Sequence, residues 1–439
     1  MHSRRRLTLV GLTTALALLV AGNPGAANSL PAPDAVAPMS ADFLWGVASS
    51  GFQSEGDAPD SNWSRYVAQG RTEDPYLNSV DFHGRYRSDI ALAAGLGVKV
   101  YRIGVEWARV QPAPGAWDEQ GFRFYDDVIA AIRAAGMRPM ITLDHWVYPG
   151  WQADRGGWGD PGMVEAWVAN ARRVVDRYAQ ADPLWVTFNE PMVYQVREVT
   201  YGGLAAGDAP TMHDRIAQAH NAIYDHIHAV QPGAMVTSNV PYIPAVEDLL
   251  NKPLLDKIGA KLDYIGIDYY YGVSPDALAG EWSIAELWKN PLHAEGIYYA
   301  LRHYARAFPG KPLYIVENGM PTDNGQPRAD GYSRADHLRD TVYWLQRAEA
   351  DGMNVMGYNY WTLTDNFEWG SYRARFGLYT VDVHTDPTLT RKPTDAVAAY
   401  REITRAGGVP ADYRPTRDPR LCSLVDGVAS CLEPVGVPR

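Results

Sequence analysis

Two short runs set a glutamate beside an asparagine at the end of an apolar stretch. VTFNEP (186–191) delivers Asn189 and Glu190; YIVENG (314–319) delivers Glu317 and Asn318. Glutamate is depleted in strands and costly to bury without a partner. Its presence at two strand-like ends therefore asks for a reason. A pair of carboxyl groups facing one mouth fits glycoside hydrolysis. The leaving oxygen departs poorly without a proton, and the anomeric carbon needs a nucleophile or an activated water. One carboxyl group must stay protonated near neutral pH and the other ionised. A separation of about 5–5.5 Å between them would mean retention of configuration.

Other run ends supply supporting groups: Gln53 with Glu55, Arg102, His145 with Trp146, Tyr270 and Trp361. DNFEW (365–369) adds Glu368 and Trp369. An arginine can keep a carboxylate charged by direct attraction. An asparagine beside a carboxylate can donate to a sugar hydroxyl. Gln, His, Glu and Trp add directional hydrogen bonds and a flat apolar face. We read Glu55 as structural, and Asp365 and Asn366 as loop fixers. Trp151, Trp158, Trp282 and Trp288 fall in loops, where packing competes with lining the site.

These groups need a frame that brings eight run ends together. The runs are FLWGVASS (43–50), KVYRIGVEW (99–107), RPMITLDHW (138–146), LWVTFNE (184–190), MVTSNV (235–240), DYIGIDYY (263–270), PLYIVENG (312–319) and VMGYNYWTL (355–363). Helical patterns lie between them, clearest at 121–136, 161–180 and 334–352. Pro161 is expected in a first helical turn and Gly352 at a helix end. Eight alternations predict one α/β domain, a closed (β/α)8 TIM barrel with long loops at its carboxyl-terminal face. A doubly wound open sheet is the competitor. WGVASSGFQSEG lacks the G-x-G-x-x-G spacing, and no P-loop or H-E-x-x-H occurs.

The bulk composition agrees. The 439 residues carry a formal net charge of −11, which offers no basic field for nucleic acid. Fourteen Trp and twenty-seven Tyr suit stacking on sugars as well as core packing. MHSRRR followed by LTLVGLTTALALLVAG and NPGAANS reads as a secretory signal peptide over 1–27, with SRRRL similar to a twin-arginine signal. A stable membrane anchor is the competing reading, but the run is short for one. SLPAPDAVAPM falls in a Pro/Ala linker over 28–41, the barrel spans 42–406, and 407–439 form a tail. The mature, secreted protein is expected to begin near Asn28. Cys422 and Cys431, the only cysteines, can form a disulfide there, stay free or bridge chains. Oligomeric state has no signature in the chain.

The motifs FLWGVASSGFQSEG, YRIGVEWARV, TLDHW, TFNEP, YIGIDYY, IVENG and YWTLTDNFEWGSYRARFGL, in this order, make the chain similar to glycoside hydrolase family 1. These are retaining β-glycosidases of the β-glucosidase and β-galactosidase type. The likeness runs from about Phe43 to Arg405, and GFQSEG, SNWSRY and VEWARV resemble the archaeal-type branch. It implies Glu190 as general acid/base and Glu317 as nucleophile, with Arg102 and Tyr270 holding Glu317. It implies substrate binding by Gln53, His145, Trp146, Asn189, Glu368 and Trp369, and Trp361 as the floor under the ring. No metal and no cofactor are implied, and the partner is a carbohydrate or glycoside. Alternatives on the same residues are a transglycosidase, a diglycoside- or oligosaccharide-specific β-glycosidase and an endo-acting relative. A non-catalytic sugar-binding barrel would need a lost carboxylate, and both are present.

Departures from the family pattern are specific. Asp268 stands where the family has Asn, adding a carboxyl group near the nucleophile. Val147, Tyr148 and Pro149 replace Asp-Leu-Pro after the third run. Retention of Glu368 argues against 6-phospho-sugars, which a second carboxylate would repel.

Overall fold

Each of the eight β-rich runs forms a strand. They are β1 (Leu44–Ala48), β2 (Val100–Gly104), β3 (Arg138–Asp144), β4 (Leu184–Asn189), β5 (Met235–Pro241), β6 (Ile265–Asp268), β7 (Leu313–Asn318) and β8 (Val355–Trp361). The computed structural model describes residues 35–243, 246–272, 286–419 and 433–436. The signal-peptide region, Trp282, Cys422 and Cys431 lie outside these. The strands are parallel and in sequence order, and β1 pairs with both β2 and β8, closing the barrel.

The main helices that follow the strands in turn are α1 (Phe82–Ala94), α2 (Glu119–Ala134), α3 (Met163–Tyr178), α4 (Ala209–Val230), α5 (Lys252–Ile258), α6 (Gly296–Ala307), α7 (Arg334–Ala350) and α8 (Asp395–Ala406). Their starts follow capping chemistry. Asp118 accepts from Gln120 N at 2.7 Å, and Ser333 from Asp336 N at 3.0 Å. Gly352 lies just beyond α7 with φ +89°, as expected. Pro161 differs from expectation. It precedes α3, in a turn where Asp160 accepts from Gly162 N at 3.1 Å, so that the helix starts two residues later.

Alternation along the strands divides two cores. Val100, Met140, Leu184, Val186, Tyr264, Tyr314 and Val316 cluster along the barrel axis. Trp185, Phe188, Leu313 and Ile315 belong to the larger layer that includes helix residues. One irregularity matters for function. In β4, Thr187 meets His220 of α4 at 2.8 Å, while Phe188 stacks on Trp167 of α3 at 4.3 Å. Two consecutive side chains thus point outward, and the β4–β5 register shifts between Val186 and Asn189. This bulge turns Asn189 inward, the re-aiming that bulges perform beside sites. The glycine of VENG also has a steric reason: a Cβ on Gly319 would fall 2.0 Å from the Trp361 carbonyl oxygen.

Residues 35–41, within the stretch composition reads as a linker, are held against the barrel. Val36 and Met39 are buried, Val36 N donates to Ala411 O at 3.1 Å, and Met39 N to Gly407 O at 2.8 Å. Two apolar anchors among Pro and Ala escape an average over composition. The tail docks too: Tyr413 OH reaches Asp340 at 2.7 Å and Val435 N donates to Tyr299 OH at 3.1 Å.

Candidate active site

Glu317, the fifth residue of β7, is gripped at both carboxyl oxygens. Arg102 Nη1 donates to Oε1 and Tyr270 OH to Oε2, the latter at 2.8 Å. Arg102 is fully buried, and its other donors are used as well. Nη2 bonds Asn189 Oδ1 at 2.7 Å and Nε bonds Thr142 Oγ1 at 2.9 Å. A guanidinium with several donors in a rigid fork can fix three neighbours at once.

Asn189 Oδ1 also accepts from Asn239 Nδ2 at 2.7 Å. Two donors on the oxygen fix the amide orientation. Its Nδ2 is left buried with no partner among the described residues. That is a ready donor for a ligand hydroxyl.

Glu190 differs from Glu317. It stands at φ +37°, ψ 64°, as the N-cap of a helix over Pro191–Tyr201 whose first residue is the proline. Pro at this position lacks an N–H that would be orphaned anyway. The left-handed backbone carries a strain of about 1–3 kcal/mol, a cost typical of functional turns. The Glu190 N–H is held by Asn239 O at 3.1 Å. Its buried carboxyl group has no hydrogen-bond partner among the described residues. Burial, then the charge of Glu317, pushes its pKa well above the carboxylate range; Arg102 and Arg197 pull the other way. Arg197 lies seven residues on, two helical turns from Glu190.

The remaining predicted residues line the same mouth. Gln53 Oε1 is held by Ser50 Oγ at 2.6 Å, and its Nε2 donates to Glu368 at 3.3 Å. Glu368 is pushed up to about 8, by burial first and then by Glu317, against a bond from Trp361. His145 lies nearly parallel to Trp361 and Trp369, with centroids at 5.8 and 5.6 Å. Burial, then Arg102, holds its imidazole well below its usual pKa and so neutral. Its Nδ1 has no partner among the described residues. The Trp361–Thr362 peptide is cis, and Trp146 and Trp369 have φ of +70° and +46°. Trp146 is buried, and its indole N–H donates to the Asn189 carbonyl at 2.7 Å. Its one polar side-chain group thus supports Asn189.

Sequence reasoning missed a supporting layer. Asp144 accepts from Trp146 N and from Trp167 Nε1, both at 2.9 Å. Asn62 Nδ2 donates to Trp146 O at 3.0 Å and to Glu198 at 3.1 Å; Glu198 also accepts from Tyr148 OH at 2.6 Å and from Tyr66 OH at 3.1 Å. Tyr148, one of the departures, is therefore a built-in partner of Glu198. Burial pushes Glu198 up to about 7. Asn239 was also missed; its only signal is an amide near the end of MVTSNV. Two structural readings stand as expected. Glu55 accepts from Arg109 and Tyr125 at 2.9 Å each. Asp365 accepts from Gly377 N at 2.8 Å and Val381 N at 3.0 Å.

The chain is similar to known proteins in sequence and fold. A family model described as Glycosyl hydrolase family 1 matches residues 36–253 and 280–409, leaving out the segment with β6, Asp268 and Tyr270. Beta-glucosidase A of Thermotoga maritima is 26% identical over 445 residues, 84% of this chain and 98% of that protein. Galactolipid galactosyltransferase SFR2 of Arabidopsis thaliana is 29% identical over 401 residues, 80% of this chain and 62% of that one. A solved beta-glycosidase from Pyrococcus horikoshii has TM-score 0.75 at 26% identity, over 85% of this chain and 96% of that one. The chain therefore belongs to glycosyl hydrolase family 1 and is a β-glucosidase-like glycoside hydrolase.

Proposed function

We propose that the protein is an exported, retaining exo-β-glycosidase acting on β-glucosides, β-galactosides or β-fucosides by double displacement. One observation carries this reading. Glu317 is held at both oxygens by Arg102 and Tyr270, whereas Glu190 is buried without a donor among the described residues. A carboxylate tied to a guanidinium and a phenol is charged and aimed, as a nucleophile must be. A carboxyl group stripped of water keeps its proton, as a general acid must.

In the first step Glu317 attacks the anomeric carbon while the Glu190 proton passes to the leaving oxygen. This leaves a glycosyl ester on Glu317 and a carboxylate on Glu190. In the second, Glu190 takes a proton from water, the water oxygen opens the ester, and both groups return to their starting states. The Asn189 amide, Gln53, His145, Glu368 and Trp369 hold the hydroxyls of the sugar, and Trp361 lies under its ring.

The test is a panel of 4-nitrophenyl β-glycosides with the mature protein and its Glu317→Gly variant, with and without azide. Azide rescue that yields the inverted glycosyl azide supports the reading; rescue giving the retained azide would sink it. Export rests on the basic and apolar opening of the sequence. It is tested by N-terminal sequencing from the culture medium, expected near Asn28.

A second reading, transfer of the sugar to an acceptor alcohol, is favoured by the likeness to the plant galactosyltransferase. It is tested by product analysis with added alcohols. A transfer product exceeding free sugar at millimolar acceptor would establish it.

A further inference from the structure

Asp268 is a further carboxyl group at the mouth, beside Glu190, Glu317 and Glu368, and a retaining reaction needs two. It ends β6, is 1% exposed, and pairs in register with Glu317 of β7. Its Oδ2 accepts from Asn239 Nδ2. Its Oδ1 is buried with no partner among the described residues. Asn239 Nδ2 also donates to Asn189 Oδ1 at 2.7 Å, and the Asn239 backbone carbonyl accepts from Glu190 N at 3.1 Å. Asn239 thus holds both residues that VTFNEP delivers. A primary amide has two N–H groups, and here each has an acceptor. Without the Asp268 acceptor one of them would be buried unpaired, a cost that favours turning the amide away from Asn189.

Charged and titratable groups face Asp268 from each neighbouring element. They are Glu317 on β7, Glu190 at the end of β4, Arg102 on β2, and Tyr270 just past β6. From β5 it meets the neutral Asn239. Burial first, then the charges of Glu317 and Glu190, pushes Asp268 well above the carboxylate range, with Arg102 and Asn239 opposing. Burial likewise leads the rise of Glu190. Two such acids titrate as a pair: loss of a proton from one tightens the hold on the other.

We propose that Asp268 is a positioning residue of the reaction, which through Asn239 holds the Asn189 amide toward the sugar and, once ionised, keeps the Glu190 proton in place at alkaline pH. This inference rests on the retaining reading above.

The experiment compares Asp268→Asn and Asp268→Ala in the full mature protein, using pH profiles of kcat/KM on the 4-nitrophenyl β-glycoside that the wild type cleaves best. Asn keeps an acceptor for Asn239 but cannot ionise. Its acid-side rate should lie within about threefold of wild type, with the acid limb unmoved and the alkaline limb shifted down by about half a unit or more. Ala removes the acceptor, and its kcat/KM should fall about tenfold or more at every pH. An alkaline limb of D268N that coincides with or exceeds the wild-type limb overturns the proposal, as does D268A with the activity of D268N. Should D268A fail to fold by near-UV circular dichroism, the D268N limb alone decides. A wild type that cleaves no glycoside overturns the retaining reading as well; wild-type activity with an unmoved D268N limb overturns only this inference.

Discussion

Arg102 donates to Asn189 Oδ1 at 2.7 Å with one nitrogen and to Glu317 with another. The residue that grips Glu317 therefore also aims the Asn189 amide. On the proposed mechanism, holding the nucleophile and holding the sugar are a single mechanical unit.

Arg102→Lys should break that unit while keeping the charge. A lysine offers one compact ammonium and cannot span Glu317, Asn189 and Thr142 together. We expect kcat/KM to fall about a thousandfold, on the order of 4 kcal/mol. Steady-state kinetics check this, and a loss below tenfold would show that charge alone suffices.

The alkaline limb of activity should belong to Glu190, which is raised by burial and by Glu317. Activity requires its proton, so the rate falls as pH rises through its pKa. Arg197 pulls that pKa down, so Arg197→Met should move the alkaline limb to higher pH. Glu190→Gln should abolish the limb and cost about 10²–10⁴ on substrates with poor leaving groups. Substrates with dinitrophenolate leaving groups should still form the glycosyl-enzyme. Stopped-flow bursts and pH profiles read both effects.

Stability should decline toward alkaline pH for a reason outside the reacting pair. Glu198 and Glu247 are buried and pushed up to about 7 from 4.5, with burial the largest cause. A carboxyl group raised on folding binds more protons in the native state between the two values. Its contribution is therefore most favourable below 4.5 and is lost as pH rises through about 7. Thermal melting should show a higher midpoint at pH 5 than at pH 8, with Glu198→Gln flattening the difference.

Tyr148→Phe should loosen the support behind Trp146. It removes the 2.6 Å bond to Glu198 and leaves that carboxyl group less satisfied. We expect a loss of about 1–3 kcal/mol in stability and a several-fold loss of kcat/KM. Denaturant titration and kinetics separate the two. Unchanged values in both would show that Asn62 and Tyr66 hold Glu198 unaided.

The frame was legible in the sequence, and so were most of the side chains that the frame brings to one mouth. Glu190 and Glu317 stood out because a carboxyl group at a strand end has few structural reasons to be there. The eight strands stood out because alternation and punctuation are local. Asn239, Glu198 and Asp144 act through other residues. Their partners lie elsewhere along the chain, as Asn62 does from Glu198, so no local pattern marks them. The resemblance set Trp146 among the sugar contacts; that its indole N–H donates to the Asn189 carbonyl is a link no local pattern shows. The bulge that turns Asn189 inward is likewise invisible, since VTFNEP reads as plain alternation until Thr187 and Phe188 are seen pointing the same way.

The docking of residues 35–41 has a consequence in time. Ala37 is held by Gln346 at 2.6 Å, Met39 by Gly407 and Val36 by Ala411, and β1 needs β8 to close the barrel. Every one of these partners is made more than 300 residues later by a ribosome that starts at the amino terminus. The first strand must therefore wait with one edge open until the last has emerged. The seam between β1 and β8, rather than the catalytic mouth, is where the newborn chain is most open to a chaperone or to a wrong partner.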